Sequence, residues 1–122
     1  MHSILLVEDE VMISEPLSIV LRAHNFSVEV ASNGLIALDF CATKKYDVIL
    51  LDIMMPLCNG IEFIKKANLS KNSPQTRIVL ISNLVNGNEV KEGMKLGAHE
   101  TVLKASITPT SLLQLINDQL AL

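Results

Sequence analysis

Three almost unbroken aliphatic runs constrain this chain more than anything else in it: "SILLV" (3–7), "DVILL" (47–51) and "RIVLI" (77–81). Each is too short for an ordinary helix, and each lacks the polar alternation of a strand with one wet face. Strands buried on both faces have this character, and they belong to parallel sheets covered by helices on both sides. Two more mixed runs, "SVEVA" (27–31) and "ETVLK" (100–104), read as strands nearer the sheet edges.

Between the runs the apolar spacing turns helical. Ile13, Leu17, Val20 and Leu21 form one stripe. Pro16 falls inside it, so the regular helix is expected either to start near Ser14 or to kink. Leu35, Leu38 and Ala42 mark a second helix, with Ser32 or Asn33 as its N-cap. Asn59-Gly60 opens a third, carrying Ile61, Ile64 and Ala67. A fourth, from Asn88 to Leu96, is weakened by Gly87 and Gly93, since an interior glycine costs about 1 kcal/mol against alanine. The last starts at Thr108 as N-cap with Pro109 in its first turn, then Leu113, Ile116 and Leu120. Five β-α pairs make an α/β sandwich whose crossovers are right-handed. With 122 residues and no linker or repeat, the expectation is a single domain over 1–122, any effector domain being absent or lying beyond it.

Composition narrows the function. The net charge of −3 argues against direct nucleic-acid binding, which needs a basic face. The apolar run at Ile4–Val7 is too short for a signal peptide or a membrane span, so a cytoplasmic location is expected. Cys41 and Cys58 fit no metal spacing and read as reduced, buried or half-buried thiols. His2, His24 and His99 read as surface residues, and Lys44-Lys45 and Lys65-Lys66 as solvated helix ends.

The polar groups that carry chemistry fall at the ends of the runs. Glu8 and Asp9 follow the first, Asp52 the third and Ser82 the fourth, while Lys104 ends the fifth. In a parallel sheet all these ends share one edge, where open α/β sheets bind ligands. Carboxylates gathered there repel one another, and a divalent cation removes the conflict. The donors are hard oxygens without His or Cys, which suits Mg2+. A metal, an ammonium and a hydroxyl around one free carboxylate is the arrangement of a phosphoryl-transfer site, with Asp52 as the nucleophile.

Four segments, "LLVEDE" (5–10), "DVILLDIMMPLCNG" (47–60), "IVLIS" (78–82) and "LGAHETVLK" (96–104), resemble the receiver domain of bacterial two-component response regulators, in order and over essentially the whole chain. The resemblance implies a flavodoxin-like doubly wound sheet of order 2-1-3-4-5 with five helices. It implies that Asp52 accepts a phosphoryl group from a phosphohistidine on a histidine kinase or phosphotransfer protein. Asp9, Asp52 and the backbone carbonyl of Met54 would bind Mg2+, with Glu8 acting through a water. Ser82 and Lys104 would engage the phosphoryl group. The fourth helix, fifth strand and last helix would form the output face, open to homodimerisation, and the two glycines at the fourth helix would make it easy to remodel. Such a domain is a switch that catalyses only its own phosphoryl transfer and dephosphorylation.

The departures are local. Thr101 stands where the family usually has an aromatic that reports the state of the site, and Ala105 where it usually has a proline after a cis bond. A trans Lys104–Ala105 peptide, or a strained cis one, is therefore expected. Asn83 replaces a small residue, and Met54 and Leu84, two places beyond Asp52 and Ser82, are apolar where attacking water would pass, so self-dephosphorylation is expected to be slow. The competing reading is a receiver-like interaction module that signals without phosphorylation. A small hydrolase or flavin binder lacks its nucleophile elbow, its glycine-rich loop and its aromatics.

Overall fold

The structure is a computed structural model, and it describes residues 1–83 and 87–121. Five parallel strands, β1 (Ser3–Val7), β2 (Ser27–Ala31), β3 (Val48–Asp52), β4 (Arg77–Ser82) and β5 (Glu100–Leu103), pair in the order β2-β1-β3-β4-β5. This is the expected order. The two mixed runs lie at the edges and the three aliphatic runs at the centre, where every residue of β3 is buried. The ends differ in detail from the sequence expectation. Asp52 and Ser82 are the last residues of their strands rather than the first beyond them, and Lys104 opens a short 3-10 turn (Lys104–Ser106) instead of closing β5.

The helices among the described residues are α1 (Val11–Ala23), α2 (Gly34–Thr43), α3 (Gly60–Ala67), α4 (Leu69–Asn72), α5 (Asn88–Lys95) and α6 (Pro109–Leu120). Five answer to the expected ones. The one-turn α4 is an addition that no periodicity announces, because four residues are too few to show a period. Two cores form, one on each face of the sheet. Leu5, Leu51 and Leu80 join Phe63 and Ile64 under α2, α3 and α5. Leu6, Leu50 and Ile81 join Leu21, Leu112 and Ile116 under α1 and α6.

Caps behave as the sequence suggests. Asn33 accepts the Ile36 N–H, at 2.9 Å, and so caps α2. Asn59 and Glu62 form a reciprocal capping box at α3, and Thr108 with Ser111 another at α6. The helix faces are less well read. In α2 the buried residues are Gly34 and Ala37, whereas Leu35 is 45 % exposed and Ala42 is also exposed. In α6 the buried face is Leu112, Ile116 and Gln119, and Leu113 and Leu120 are half-buried. Helix α1 begins at Val11 rather than near Ser14 and carries Pro16 inside. Pro16 and Met12, whose carbonyl the missing N–H would have met, are both exposed, so water can satisfy that carbonyl. No peptide among the described residues is cis, so Lys104–Ala105 is trans, the first of the two expected outcomes. None of their helices is long and apolar enough to cross a membrane.

Candidate functional site

Asp52 ends the most deeply buried strand, and the chain is built tightly around it. The residue is 2 % exposed. Its Oδ1 accepts the Met54 N–H at 3.1 Å, and its Oδ2 accepts a hydrogen bond from Lys104 Nζ at 3.0 Å. The turn that follows must bring α3 back against the strand end. Gly60 makes this possible: its N–H donates to the Ile53 carbonyl at 3.0 Å, and a Cβ there would lie 2.8 Å from the Asp52 carbonyl oxygen. Within the turn the Cys58 N–H donates to the Pro56 carbonyl at 2.7 Å, and Leu57 between them has φ +67°. This three-residue turn puts a leucine in the left-handed region, at a cost of about 1 kcal/mol. Leu57 is 76 % exposed, so no packing of its own offsets that cost.

Lys104, from the 3-10 turn, and two acids from the segment after β1 gather at Asp52. The side chain of Lys104 is only 14 % exposed, and besides Asp52 it meets Glu8 Oε1 and Glu10 Oε1, each at 3.1 Å. Burial works against its charge, but the hydrogen bonds it donates to Asp52, Glu8 and Glu10 prevail, and its pKa lies above the usual ammonium range. Glu8 is 3 % exposed. Burial pushes its carboxyl up to about 7, against the hydrogen bonds from the Glu10 N–H and Lys104, and the charge of Asp52 adds to the rise. One ammonium thus serves three carboxylates, two of them buried.

Carboxylate oxygens of Glu8, Asp9 and Glu10 lie within 4.8 Å of one another, so they can share a cation. The donors are hard oxygens, which fits a magnesium or calcium ion and not zinc or copper. Asp52 reaches this trio through Lys104. Ser82 is buried at the end of β4, one position beyond Ile81, the register partner of Asp52. A cavity of about 270 Å³ beside it is bordered by Met54, Ser82, Asn83 and Val90. Thr101 lies away from the carboxylates on β5, where its hydroxyl donates to Met94 Sδ of α5 at 3.4 Å. Leu84 lies outside the described residues.

Two features escape the sequence reading. Glu10 binds Lys104, and the third acid of "EDE" was its only signal. His99 is not simply a surface residue: its Nδ1 accepts the Ile78 N–H at 3.0 Å, tying β5 to the start of β4, and burial with the nearby Arg77 charge lowers its pKa. The lysine pairs are also partly engaged, Lys44 with Glu29 at 2.7 Å and Lys65 with Glu92 at 2.8 Å. Cys58 is buried and Cys41 half-buried, both free thiols.

A doubly wound parallel sheet with an acidic trio, a buried aspartate and a lysine at its carboxyl edge defines a class of signalling domain. Residues 4–117 match the model of the response regulator receiver domain, and the chain belongs to that family. It is a signalling module of two-component systems and not a classical enzyme. Among curated proteins, it is 33 % identical over 122 residues to a probable transcriptional regulator, ycf29, of Pyropia yezoensis, covering 98 % of this chain and 54 % of that protein. The chain therefore spans about half the length of that relative. Among solved structures, the Vibrio cholerae chemotaxis protein CheY4 superposes with a TM-score of 0.87 at 28 % identity, covering 97 % of this chain and 98 % of the other. The receiver domain of the sensor histidine kinase PA1611 from Pseudomonas aeruginosa, solved with a magnesium ion in its active-site cleft, shares the fold with a TM-score of 0.86 at 19 % identity, covering 99 % and 98 %.

Proposed function

We propose that this receiver domain is a phosphorylation switch in which Asp52 is the phosphoacceptor. The observation that carries this reading is the buried Asp52 carboxylate with Lys104 Nζ at 3.0 Å and an acidic trio beside it. A structural aspartate needs one cation. Here the same lysine is shared with two further carboxylates, at the sheet edge where Met54 beside Asp52 is exposed.

In the proposed reaction a carboxylate oxygen of Asp52 attacks the phosphorus of a phosphohistidine on a kinase or phosphotransfer protein. The phosphorus–nitrogen bond breaks, the imidazole leaves with the electron pair and takes up a proton from solvent, and an acyl phosphate remains. Asp9, Asp52 and the Met54 carbonyl would hold Mg2+, with Glu8 through a water. Bound there, the ion would offset the charge spread over the phosphoryl oxygens. The magnesium in the related PA1611 cleft supports that assignment. Lys104 would leave Glu8 and Glu10 for a phosphoryl oxygen, and Ser82 would hold another. Val11, Met12, Met54 and Leu57 stand exposed on segments adjoining the carboxylates, and any donor protein must seat over them to reach Asp52. The acyl phosphate would then alter the face of α5, β5 and α6, the surface for an effector or a second copy. The length of the matched relative supports an effector beyond this domain.

The test is intact mass after incubation with Mg2+ and acetyl phosphate, for the wild type and Asp52→Asn. One phosphoryl adduct that requires Mg2+ and vanishes in the variant is expected. If neither acetyl phosphate nor a phosphorylated kinase yields an adduct, and Mg2+ does not bind, the phosphorylation-independent module favoured by Thr101, Ala105 and Asn83 replaces this reading. Met54 borders the cavity beside Ser82 and cannot orient water, so the adduct should be long-lived. Met54→Asn should shorten its lifetime, and an unchanged rate would remove Met54 from the account.

A further inference from the structure

The opposite edge of the sheet, where the strands begin, carries a second concave site that the phosphoryl chemistry does not use. A cavity of about 240 Å³ opens there between α2, α3, α4 and the start of β3. Leu38, Ile49 and Leu69 give it apolar walls, with the half-buried Cys41 thiol among them. Burial raises that thiol to about 11, so it reacts slowly, and its alkylation rate reports how far the cavity is covered.

The charges at this cavity run against the rest of the chain. The protein has 10 basic and 13 acidic residues, yet three lysines and no acid border this cavity. Lys44 is accounted for: it pairs with Glu29 and lies 5.1 Å from the centre of the Tyr46 ring. Lys45, between α2 and β3, and Lys66, on α3, meet no carboxylate among the described residues. A concavity with apolar walls, bordered by two exposed lysines that make no ion pair, is complementary to one kind of small molecule. Its body is apolar and enters the cavity, and its single anionic group stays at the mouth.

We propose that this cavity is a binding site for a small organic anion, an aryl carboxylate or sulfonate, whose acid group is held by Lys45 and Lys66 and whose ring lies against Leu38, Ile49 and Leu69. The site is separate from Asp52 and independent of whether Asp52 is phosphorylated. A solvated dent would bind such molecules only through loose charge attraction, without saturation.

The experiment titrates the full chain with anilinonaphthalene sulfonate, reading its fluorescence and, separately, the rate at which a maleimide alkylates Cys41. Saturable one-to-one binding is expected, with Cys41 protected at saturation. The double variant Lys45→Glu/Lys66→Glu should weaken binding by about tenfold or more, because two charge-assisted hydrogen bonds become repulsions. Ala67→Phe, which plugs the cavity from α3 without changing charge, should abolish it. Lys91→Glu on α5, away from the cavity, should change neither readout. Thermal unfolding of each variant shows whether it is folded, and the alkylation readout in the wild type stands whether or not the plugged variant folds. Binding without saturation, or a Cys41 rate indifferent to the probe, would overturn the proposal. So would a plugged, folded variant that binds as the wild type does.

Discussion

The ends of β3 and β5 meet at the same site, yet they are built to opposite standards. Strand β3 lies between β1 and β4, and all five of its residues are buried. The turn beyond it is closed by a capping box, a glycine against backbone and a leucine held at positive φ. Strand β5 has one neighbour, none of its four residues is fully buried, and it ends in a three-residue 3-10 turn. One end holds an acid in place at the expense of strain. The other delivers a long flexible cation to it. If Asp52 attacks in line as proposed, it needs fixed geometry, whereas a lysine that follows the moving charge needs freedom. Lys104 is the tie between the two.

Cutting that tie should have the largest effect. Lys104→Met leaves Glu8 and Asp52 buried without a cation, and removing one partner of a buried ion pair typically costs about 3 kcal/mol. Urea unfolding in EDTA should show a loss of this size. Mg2+ should recover part of it if the acids hold the ion as proposed. A loss well below about 1 kcal/mol would mean that the two ends are not coupled through this residue. Next in size is the β3 end itself. Gly60→Val places a Cβ 2.8 Å from the Asp52 carbonyl oxygen and 2.9 Å from Ile53 Cα, and overpacking against backbone should cost about 2 kcal/mol. If it costs nothing, the junction is looser than its geometry implies and the contrast with β5 fails.

Much of this contrast was legible in the sequence, and the part that was not has physical causes. The aliphatic runs fix which strands are central because burial on both faces leaves no room for polar residues, as β3 shows. Caps are legible for the same local reason: Asn33, Asn59 and Thr108 act on N–H groups three residues away. Helix faces are less so. The apolar residues of α2 do not form a single stripe, and Leu35 is left exposed while Gly34 and Ala37, which the pattern ignores, pack inward. By propensity alone Gly93 weakens α5. The structure adds a reason for it, because a Cβ there would lie 2.6 Å from Leu80 Cδ1. The site residues Glu8, Asp52 and Lys104 could be placed from strand ends alone. That Lys104 also engages Glu10 could not, since it depends on where a four-carbon side chain folds across 94 residues of sequence separation.

A third change should move stability the other way. Leu57→Gly relieves the positive φ of an exposed side chain and should stabilise the fold by about 1 kcal/mol, read as a rise in the urea midpoint at constant slope. The same variant removes an apolar group from the rim over which a donor protein would sit. Phosphorylation by acetyl phosphate should be unchanged, and transfer from a kinase slower. A variant that is both more stable and an equally good kinase substrate would show that the leucine is strain without use.

The smallest effect is expected on β5. Thr101 contributes a hydroxyl to Met94 Sδ, a weak acceptor, at a half-buried position of an edge strand. Thr101→Val should shift stability by no more than about 0.5 kcal/mol. Thr101→Tyr is more informative, because it restores the usual aromatic at a place where α5 is held only lightly by this contact. If β5 is the adaptable end, it should accept the ring with a similarly small change, and hydrogen exchange should then separate α5 and β5 between the free and phosphorylated states more than it does in the wild type. A loss of about 2 kcal/mol would be the size of an overpacked core. It would place Thr101 in packing as tight as that around Gly60, and the difference between the two strand ends would no longer hold.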